Sequence, residues 1–324
     1  MRVLVTGGAG FIGSHFVRCL LGSGYPGLED ARVTVLDKIT YAGDPRNLGP
    51  LLDDPRLRFL RGDVCDAAAV REALRECSVV VHFAAESHVD RSVADAAAFV
   101  RTNVLGTGVL LQEALAAEVD SFVMVSTDEV YGSVASGSWD EDFPLRPNSP
   151  YSASKASAEL LARSFHRTHG LPVRIARPSN TYGPHQFPEK VIPLFVTRLL
   201  DGRKIPLYGD GSHVREWIHV DDHCRALALI AVNGRPGEAY NIGGGKEISN
   251  RELTEMLLEL SSADWSSVLH VADRKGHDFR YSVDPGKIFG ELGFTPSVDI
   301  ATGMADTVRW YAENRHWWEP LVRD

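Results

Sequence analysis

The first thirteen residues constrain the fold most. A short apolar run, Val3-Leu4-Val5, passes straight into Thr6-Gly7-Gly8-Ala9-Gly10-Phe11-Ile12-Gly13, and an amphipathic stretch follows. Glycines at 7, 10 and 13 allow a tight strand-to-helix turn and let a pyrophosphate approach the helix N-terminus. There the free backbone N–H groups and the helix dipole favour an anion. The same turn can exist without a ligand, but its place after a first strand favours a nucleotide cofactor.

The first half of the chain repeats this unit. Residues 3–6, 33–36, 57–62, 79–84 and 122–126 are short and rich in β-branched or aromatic residues, which predicts strands. Residues 14–21, 66–76 and 94–118 carry helical patterns between them. Alternation of this kind, with nearly continuous apolar strands, predicts an α/β fold: a Rossmann-type, doubly wound parallel sheet covered on both faces. Residues 173–177 and 240–243 predict further strands, and 250–260 a helix with Asn250 as its N-cap. After about Thr181 the alternation weakens. The division expected is a nucleotide-binding domain over 1–180, revisited around 211–243, and a smaller mixed α/β cap over most of 181–324.

Bulk composition excludes several classes of function. Net charge is −9, which argues against non-specific binding to nucleic acid or anionic membrane. Cys19, Cys65, Cys77 and Cys224 lack CxxC spacing, so they predict reduced thiols of a cytoplasmic protein. No signal peptide is apparent at the N-terminus, and no apolar run reaches the ~20 residues of a membrane helix. Twelve His invite a zinc reading, but no HExxH or paired His spacing occurs, so no metal is expected.

Asp37 ends the second strand segment, at the distance beyond Gly13 where a carboxylate accepts from ribose hydroxyls and repels a 2′-phosphate. NAD is therefore favoured over NADP, with Lys38 next door as a complication. Asp63, after the third strand, reads either as an adenine contact or as a helix cap. Ala84-Ala85-Glu86-Ser87-His88 ends the fourth strand on the same ligand-bearing edge.

Two further stretches carry acid-base chemistry. Tyr151 and Lys155 are spaced to stack on one helical face. A nearby ammonium favours phenolate, which makes a tyrosine a usable base near neutral pH. Alone, such a pair is usually a solvated helix face. Ser126-Thr127-Asp128-Glu129 precedes it where a strand should end, and supplies a hydroxyl and two carboxylates. Adjacent carboxylates are often only a solvated loop pair. In opposite protonation states, they serve an elimination as separate acid and base.

The glycine stretch and Tyr151-x-x-x-Lys155 together resemble the extended short-chain dehydrogenase/reductase family. Asp37-Lys38-Ile39-Thr40-Tyr41-Ala42-Gly43, Ala84-Ala85-Glu86-Ser87-His88-Val89-Asp90 and Ser126-Thr127-Asp128-Glu129-Val130-Tyr131-Gly132 narrow the resemblance to its dTDP-glucose 4,6-dehydratase group. So do Arg177-Pro178-Ser179-Asn180-Thr181-Tyr182-Gly183-Pro184 and Phe187-Pro188-Glu189-Lys190. The resemblance spans nearly the whole chain. It implies an NAD-binding Rossmann domain, a cap that binds the nucleotide sugar dTDP-glucose, and a homodimer built on helices near 94–118 and 152–169. Apolar residues such as Val104, Leu105, Val109 and Leu110 suit that interface.

By the same resemblance, Tyr151, assisted by Lys155 and Thr127, takes the C4 hydroxyl proton while hydride leaves C4 for NAD. Glu129 then removes the C5 proton and Asp128 protonates the departing C6 hydroxyl. Hydride returns to C6, giving dTDP-4-dehydro-6-deoxyglucose. Cofactor contacts are implied for Phe11, Ile12, Lys38, Thr40, Val64, Ala84, Ala85, Ser87, Thr102 and Asn180, besides Gly7, Gly10, Gly13, Asp37, Asp63, Tyr151 and Lys155. Substrate contacts are implied for Ser87, Thr127, Asn180, Lys190, Val191, Pro206, Tyr208, Arg215, Asn250, Arg274, His277 and Tyr281. Arg215 and Arg274 suit a diphosphate, because a guanidinium fork makes paired bonds to it, whereas His277 reads as structural. Two positions depart from the group's pattern: Thr181 stands where a second Asn often touches the cofactor, and Lys275 where Pro is common.

Three other functions compete. A 4-epimerase of the same fold needs Tyr151 and Lys155 but has no elimination for Asp128 and Glu129 to catalyse. A CDP- or GDP-sugar dehydratase differs only in base contacts that the sequence leaves open. A non-catalytic NAD-binding scaffold has no need of Tyr151 or Lys155.

Overall fold

The computed structural model describes residues 1–22, 24–273 and 278–322. Strands among them are β1 (Arg2–Thr6), β2 (Arg32–Asp37), β3 (Leu57–Arg61), β4 (Val79–His82), β5 (Ser121–Val125), β6 (Val173–Pro178), β7 (Asn180–Tyr182), β8 (Ile205–Tyr208), β9 (Val214–His219), β10 (Ala239–Ile242), β11 (Glu247–Ser249) and β12 (Val268–Val271). Seven of these form one sheet in the order β10-β6-β5-β4-β1-β2-β3, and every pairing in it is parallel. The fold is the Rossmann-type α/β fold expected.

Strand period explains how the sheet is covered. Val3 and Val5 point into a core with Phe16, Val17, Leu20, Cys224 and Leu227. Leu4, between them, points the other way, into a core with Val80, Leu110, Leu111 and Phe122. Successive residues of a strand face opposite sides, so each strand must be apolar at nearly every position to serve two cores. Strand order reverses between β1 and β4, which opens a crevice beyond their carboxyl ends.

The remaining strands form the small sheets β11-β9-β7 and β12-β8. A third core of Tyr182, Phe195, Trp217, Leu257, Met304 and Trp318 lies with them. The chain crosses between these regions more than once. β7 and β9 pair in the small sheet, yet the helix Val220–Asn233 between β9 and β10 packs into the Val3 core, and β10 adds to β6 at the edge of the large sheet.

Two local expectations are adjusted. The helix expected over 94–118 runs from Ala96 to Ala116 and is not α-helical throughout: Ala96–Phe99 and Thr107–Ala116 are α-helical, and Val100–Gly106 between them is a π-helix. Asn103 lies in the widened turn, where its side chain donates to Glu86 O at 3.0 Å and Ser154 Oγ at 2.8 Å, and accepts from Glu86 N at 2.8 Å. Those bonds tie the wide turn to the segment after β4 and to the Tyr151 helix. The second correction concerns Asn250–Leu260, whose N-cap is Ser249 rather than Asn250. Ser249 and Glu252 form a capping box, which satisfies two backbone donors at once, and Asn250 is the first helical residue. No helix among the described residues is long and apolar enough to cross a membrane.

Candidate active site

A single cleft lies at the carboxyl ends of β1, β2, β4 and β5 and collects most of the residues singled out above. Its floor begins at the glycine turn. Gly7 has φ +71°, and a Cβ there would stand 2.7 Å from Ala84 N. A Cβ on Gly13 would stand 2.3 Å from Gly7 O. Only glycine lets the turn close this tightly against the following helix. That helix, Phe11–Leu21, has Gly10 at its N-cap and no side chain capping it, so its first N–H groups are left for a ligand.

Asp37 closes the adenosine side. Its Oδ2 accepts from Ala9 N at 2.9 Å and its Oδ1 from Ile39 N at 2.8 Å. Burial pushes its carboxyl above the usual range, although both amides oppose this. Each oxygen keeps lone-pair capacity for a ribose hydroxyl. Asp63 is not a helix cap, since that place is taken by Asp66, which accepts from Ala68 and Ala69. Instead Asp63 pairs with Lys38 at 2.7 Å. Phe11, Ile12, Thr40, Val64, Ala84, Ala85, Ser87, Thr102 and Asn180 line the same cleft. A glycine cradle, an uncapped helix start and a ribose-facing carboxylate fit an NAD-type dinucleotide.

At the other end, the helix Pro150–His169 and the segment after β5 meet. Ser149 caps the helix and Pro150 opens it, which sets Tyr151 and Lys155 one turn apart on a buried face. Lys155 Nζ donates to Val125 O at 2.6 Å. Thr127 Oγ accepts from Glu129 N at 3.3 Å and donates to Asp128 Oδ1 at 3.2 Å. Glu129 accepts from Ser152 Oγ at 3.2 Å.

The charges order these groups. Asp128 is 1% exposed and its Oδ2 has no partner. Burial, then the Glu129 and Glu216 carboxylates, hold it well above the usual carboxylate range, which suits it to act as an acid. Burial lowers the Lys155 amine to about 8, against a smaller opposing pull from Glu159. The expectation that Lys155 depresses the Tyr151 phenol is not met. Burial, then the Glu129 carboxylate, push that phenol up, and Thr127 opposes them. Lys155 spends one of its three donors on the Val125 carbonyl.

Gln186, Trp217 and His223 also line the cleft and escaped the sequence reading, whereas Glu86 and Glu189, which line it too, stood within quoted motifs without a role. Asn180 Oδ1, Gln186 Oε1, Trp217 Nε1 and His223 Nε2 are buried without partners. Such groups are costly unless something satisfies them, which marks this wall for a polar ligand. No short motif announces Gln186, Trp217 or His223, which come from the segment after β7, from β9 and from the Val220–Asn233 helix. Thr181, the departure noted above, hydrogen-bonds His223 Nδ1 at 2.9 Å.

Of the residues implied for substrate, Ser87, Thr127, Asn180, Lys190 and Val191 line the cleft, with Lys190 Nζ donating to Ser87 O at 2.7 Å. Pro206, Tyr208, Arg215, Asn250 and Tyr281 do not line it. Pro206 and Tyr208 lie on β8, and Asn250 opens its helix. Arg215, on β9, donates to the carbonyls of Val214, Asp278 and Phe279 and lies over the Tyr281 ring at 4.3 Å. Arg274, Lys275 and His277 lie outside the described residues.

Among the described residues, His15, Cys19 and Asp221 bring ligand-type atoms within 4.8 Å of one another. Arg18 Nη2 lies 3.2 Å from His15 Nδ1. Arginine only donates, so Nδ1 accepts and Nε2 carries the ring proton, aimed at Asp221 Oδ1 at 2.5 Å. A metal would need the Nε2 lone pair, so the grouping is a hydrogen-bonded His–Asp pair.

Known proteins share this fold. The sequence model described as GDP-mannose 4,6 dehydratase matches residues 4–307. The chain is 61% identical over 321 residues to a dTDP-glucose 4,6-dehydratase of Streptomyces griseus, covering 99% of this chain and 97% of that protein. The crystal structure of DesIV, a dTDP-glucose 4,6-dehydratase of Streptomyces venezuelae with NAD and dTDP bound, superposes with a TM-score of 0.98 at 63% identity, covering 99% of this chain and 100% of that one. A dTDP-glucose 4,6-dehydratase from Bacillus anthracis in complex with NAD superposes with a TM-score of 0.92 at 42% identity, covering 99% and 100%.

Proposed function

This chain belongs to the GDP-mannose 4,6-dehydratase family of extended short-chain dehydrogenase/reductases, and from that premise we propose that it converts dTDP-glucose into dTDP-4-dehydro-6-deoxyglucose. One observation carries the reading. Asp128, whose proton affinity is raised by burial, and Glu129 stand next to each other beside Tyr151 in one cleft. An epimerase of this fold has no use for that acid.

Bound NAD supplies the hydride acceptor for C4 and the hydride donor for C6. The protein's residues supply the proton movements. Tyr151 takes the proton of the C4 hydroxyl in its phenolate form, which the positive nicotinamide ring of bound NAD would favour against the neighbours that push the phenol up. The ketone formed at C4 acidifies the C5 hydrogen, which Glu129 removes. Asp128 delivers its proton to the C6 hydroxyl, which leaves as water rather than as hydroxide. A proton returns to C5 from Glu129. Burial of Thr127, Asp128, Tyr151 and Lys155 keeps bulk water from the reactive keto-alkene.

The two half-reactions oxidise and reduce the same sugar, so turnover needs no net redox partner. A mixed-label experiment tests this. Sugar deuterated at C4 is mixed with unlabelled sugar carrying another isotope, and deuterium must appear at C6 of the molecule that brought it. Extensive crossover, or a stoichiometric demand for reduced cofactor, overturns the reading.

We also propose a homodimer. Val100 (53% exposed), Leu105 (54%) and Leu160 (58%) stand out from the Val100–Gly106 and Pro150–His169 helices, beside a shallow apolar groove between Val104, Val109 and Leu161. Unpaired apolar faces of this kind are normally covered. Residence in the cytoplasm is supported by four free thiols. The working division of the chain remains an NAD-binding unit over 1–180, revisited around 211–243, with the rest mainly cap.

A further inference from the structure

Asp37 stands at the ribose end of the cleft, and the next residue brings the opposite charge to the same rim. Lys38 lines the cleft, and its Nζ lies 2.7 Å from Oδ2 of Asp63. Asp63 is anchored by its own turn, since its Oδ1 accepts from Cys65 N at 3.0 Å. Its carboxyl lies below the usual range, because the Lys38 charge and the Cys65 amide outweigh the effect of partial burial. The backbone between the two charges is not relaxed. Ile39 has φ +56°, a left-handed conformation that a β-branched residue rarely adopts, and its N–H donates to Asp37 Oδ1 at 2.8 Å. Strain of this kind persists where a ligand site over-determines the backbone.

We propose that Asp63 sets cofactor selectivity by holding Lys38 in an ion pair, so that the ammonium does not serve a phosphate on the adenosine 2′-oxygen. A compact lysine charge is a good phosphate partner. Placed beside a ribose, a free Lys38 would partly offset the repulsion that Asp37 exerts on a 2′-phosphate. Paired with Asp63 it is neutralised, and the rim recognises hydroxyls only. Asp37 therefore repels the phosphorylated cofactor while Asp63 removes the cation that would tolerate it. Asp63 acts here through Lys38. The proposal rests on the reading of the cleft as an NAD site.

The test reads bound nucleotide rather than turnover. Purified protein is equilibrated at low salt with mixtures of NAD⁺ and NADP⁺, and the nucleotide that remains bound is released by denaturation and quantified. Asp63→Asn should raise the bound NADP⁺ to NAD⁺ ratio roughly five- to tenfold, the effect of one freed charge close to the protein surface. Lys38→Ala in the Asp63→Asn background should return the ratio to within about twofold of native. Lys38→Ala alone should leave it at or below the native value, because the paired lysine contributes no phosphate contact and the freed Asp63 carboxylate can only add repulsion. An unchanged ratio in Asp63→Asn overturns the proposal, as does an equal rise in the double variant. Should Asp63→Asn not fold, Asp63→Ser carries the same expectation, and the Lys38→Ala result stands as a separate check. If the native protein binds neither nucleotide, the cofactor reading itself fails, which is a different outcome from an unchanged ratio.

Discussion

Lys155 donates to the carbonyl of Val125 at 2.6 Å, which fastens the Tyr151 helix to the last residue of β5. The strand end that carries Thr127, Asp128 and Glu129 is thereby held against the helix that carries the base. Lys155 is both a charge beside Tyr151 and a pin between the two elements that bear the chemistry.

That arrangement predicts a pH dependence. Burial lowers the Lys155 amine from its ordinary 10.5 to about 8, so the folded protein releases this proton before the unfolded chain does. The contribution to stability therefore rises as pH climbs from about 8 towards 10.5, and the burial penalty is complete below that window. Lys155→Met should unfold at a higher temperature than native at pH ~7, with the gap closing at alkaline pH. The rate of C4 oxidation in a single turnover, followed by reduced nicotinamide, should fall above pH 8 in the native protein as Lys155 loses its charge. A flat profile through that range would remove Lys155 from the first step.

Replacing the carboxylates separates oxidation from elimination. Asp128→Asn and Glu129→Gln should each slow dehydration by ~10²–10⁴ while reduced cofactor still forms, whereas Tyr151→Phe should suppress its formation. Asp128 also carries a stability signature. Its folded-state affinity for a proton is raised, so its contribution is present at acid pH and is lost as pH rises through the raised value. Asp128→Asn should flatten that decline in thermal unfolding measured from acid to alkaline pH. Native-rate dehydration by either carboxylate variant would show the assignment to be wrong.

The mouth of the cleft is strapped. Arg91 pairs with Glu189 at 3.0 Å and lies 3.8 Å over the Tyr41 ring, and Tyr41 meets Phe187 edge-on at 5.6 Å. These bonds join the segment after β2 to the segment after β7. The ion pair is half exposed, so the strap is worth about 1 kcal/mol. Arg91→Ala should speed exchange of bound NAD for labelled NAD about fivefold, and exchange at the native rate would mean that the strap does not hold the cofactor.

The glycine turn leaves no tolerance. A methyl group at position 13 would meet the Gly7 carbonyl at 2.3 Å. Gly13→Ala should lower stability by about 1–3 kcal/mol in chemical denaturation and release the dinucleotide. Gly24→Ala is a contrast, since nothing lies within 4 Å of a Cβ there although φ is +75°. Its cost should be confined to local backbone strain, with cofactor retained.

Assembly is checked by charge insertion. Leu105→Glu and Leu160→Glu each place a carboxylate on an exposed apolar helix face. Light scattering should show the native chain as a dimer at micromolar concentration and these variants shifted towards monomer. A monomeric native chain would defeat the proposed interface.

Much of this site was legible because its chemistry sits in short segments. Gly7, Gly10 and Gly13 share one turn, Thr127, Asp128 and Glu129 are consecutive, and Tyr151 and Lys155 share a helical face. The same holds for the parallel strands, whose β-branched runs announce burial on both faces. The π-helical turn at Val100–Gly106 was not legible. Within it Asn103 bonds to Glu86 and Ser154, and partners so distant in sequence leave no periodic trace.

The sequence by itself determined the sheet and the cofactor turn and picked out the candidate reacting groups, because the residues within each of these segments are set by covalent spacing. Only the tertiary structure decided their charge states and the rest of the wall. Asp128 holds its proton more tightly than usual because burial removes solvent from it and because Glu216 joins Glu129 from β9, far along the chain. Trp217 and His223 join the cleft only once β9 and the Val220–Asn233 helix pack against the first half. Proton affinity and the shape of the cleft depend on every nearby group summed through space, and that sum exists only after the distant segments have folded together.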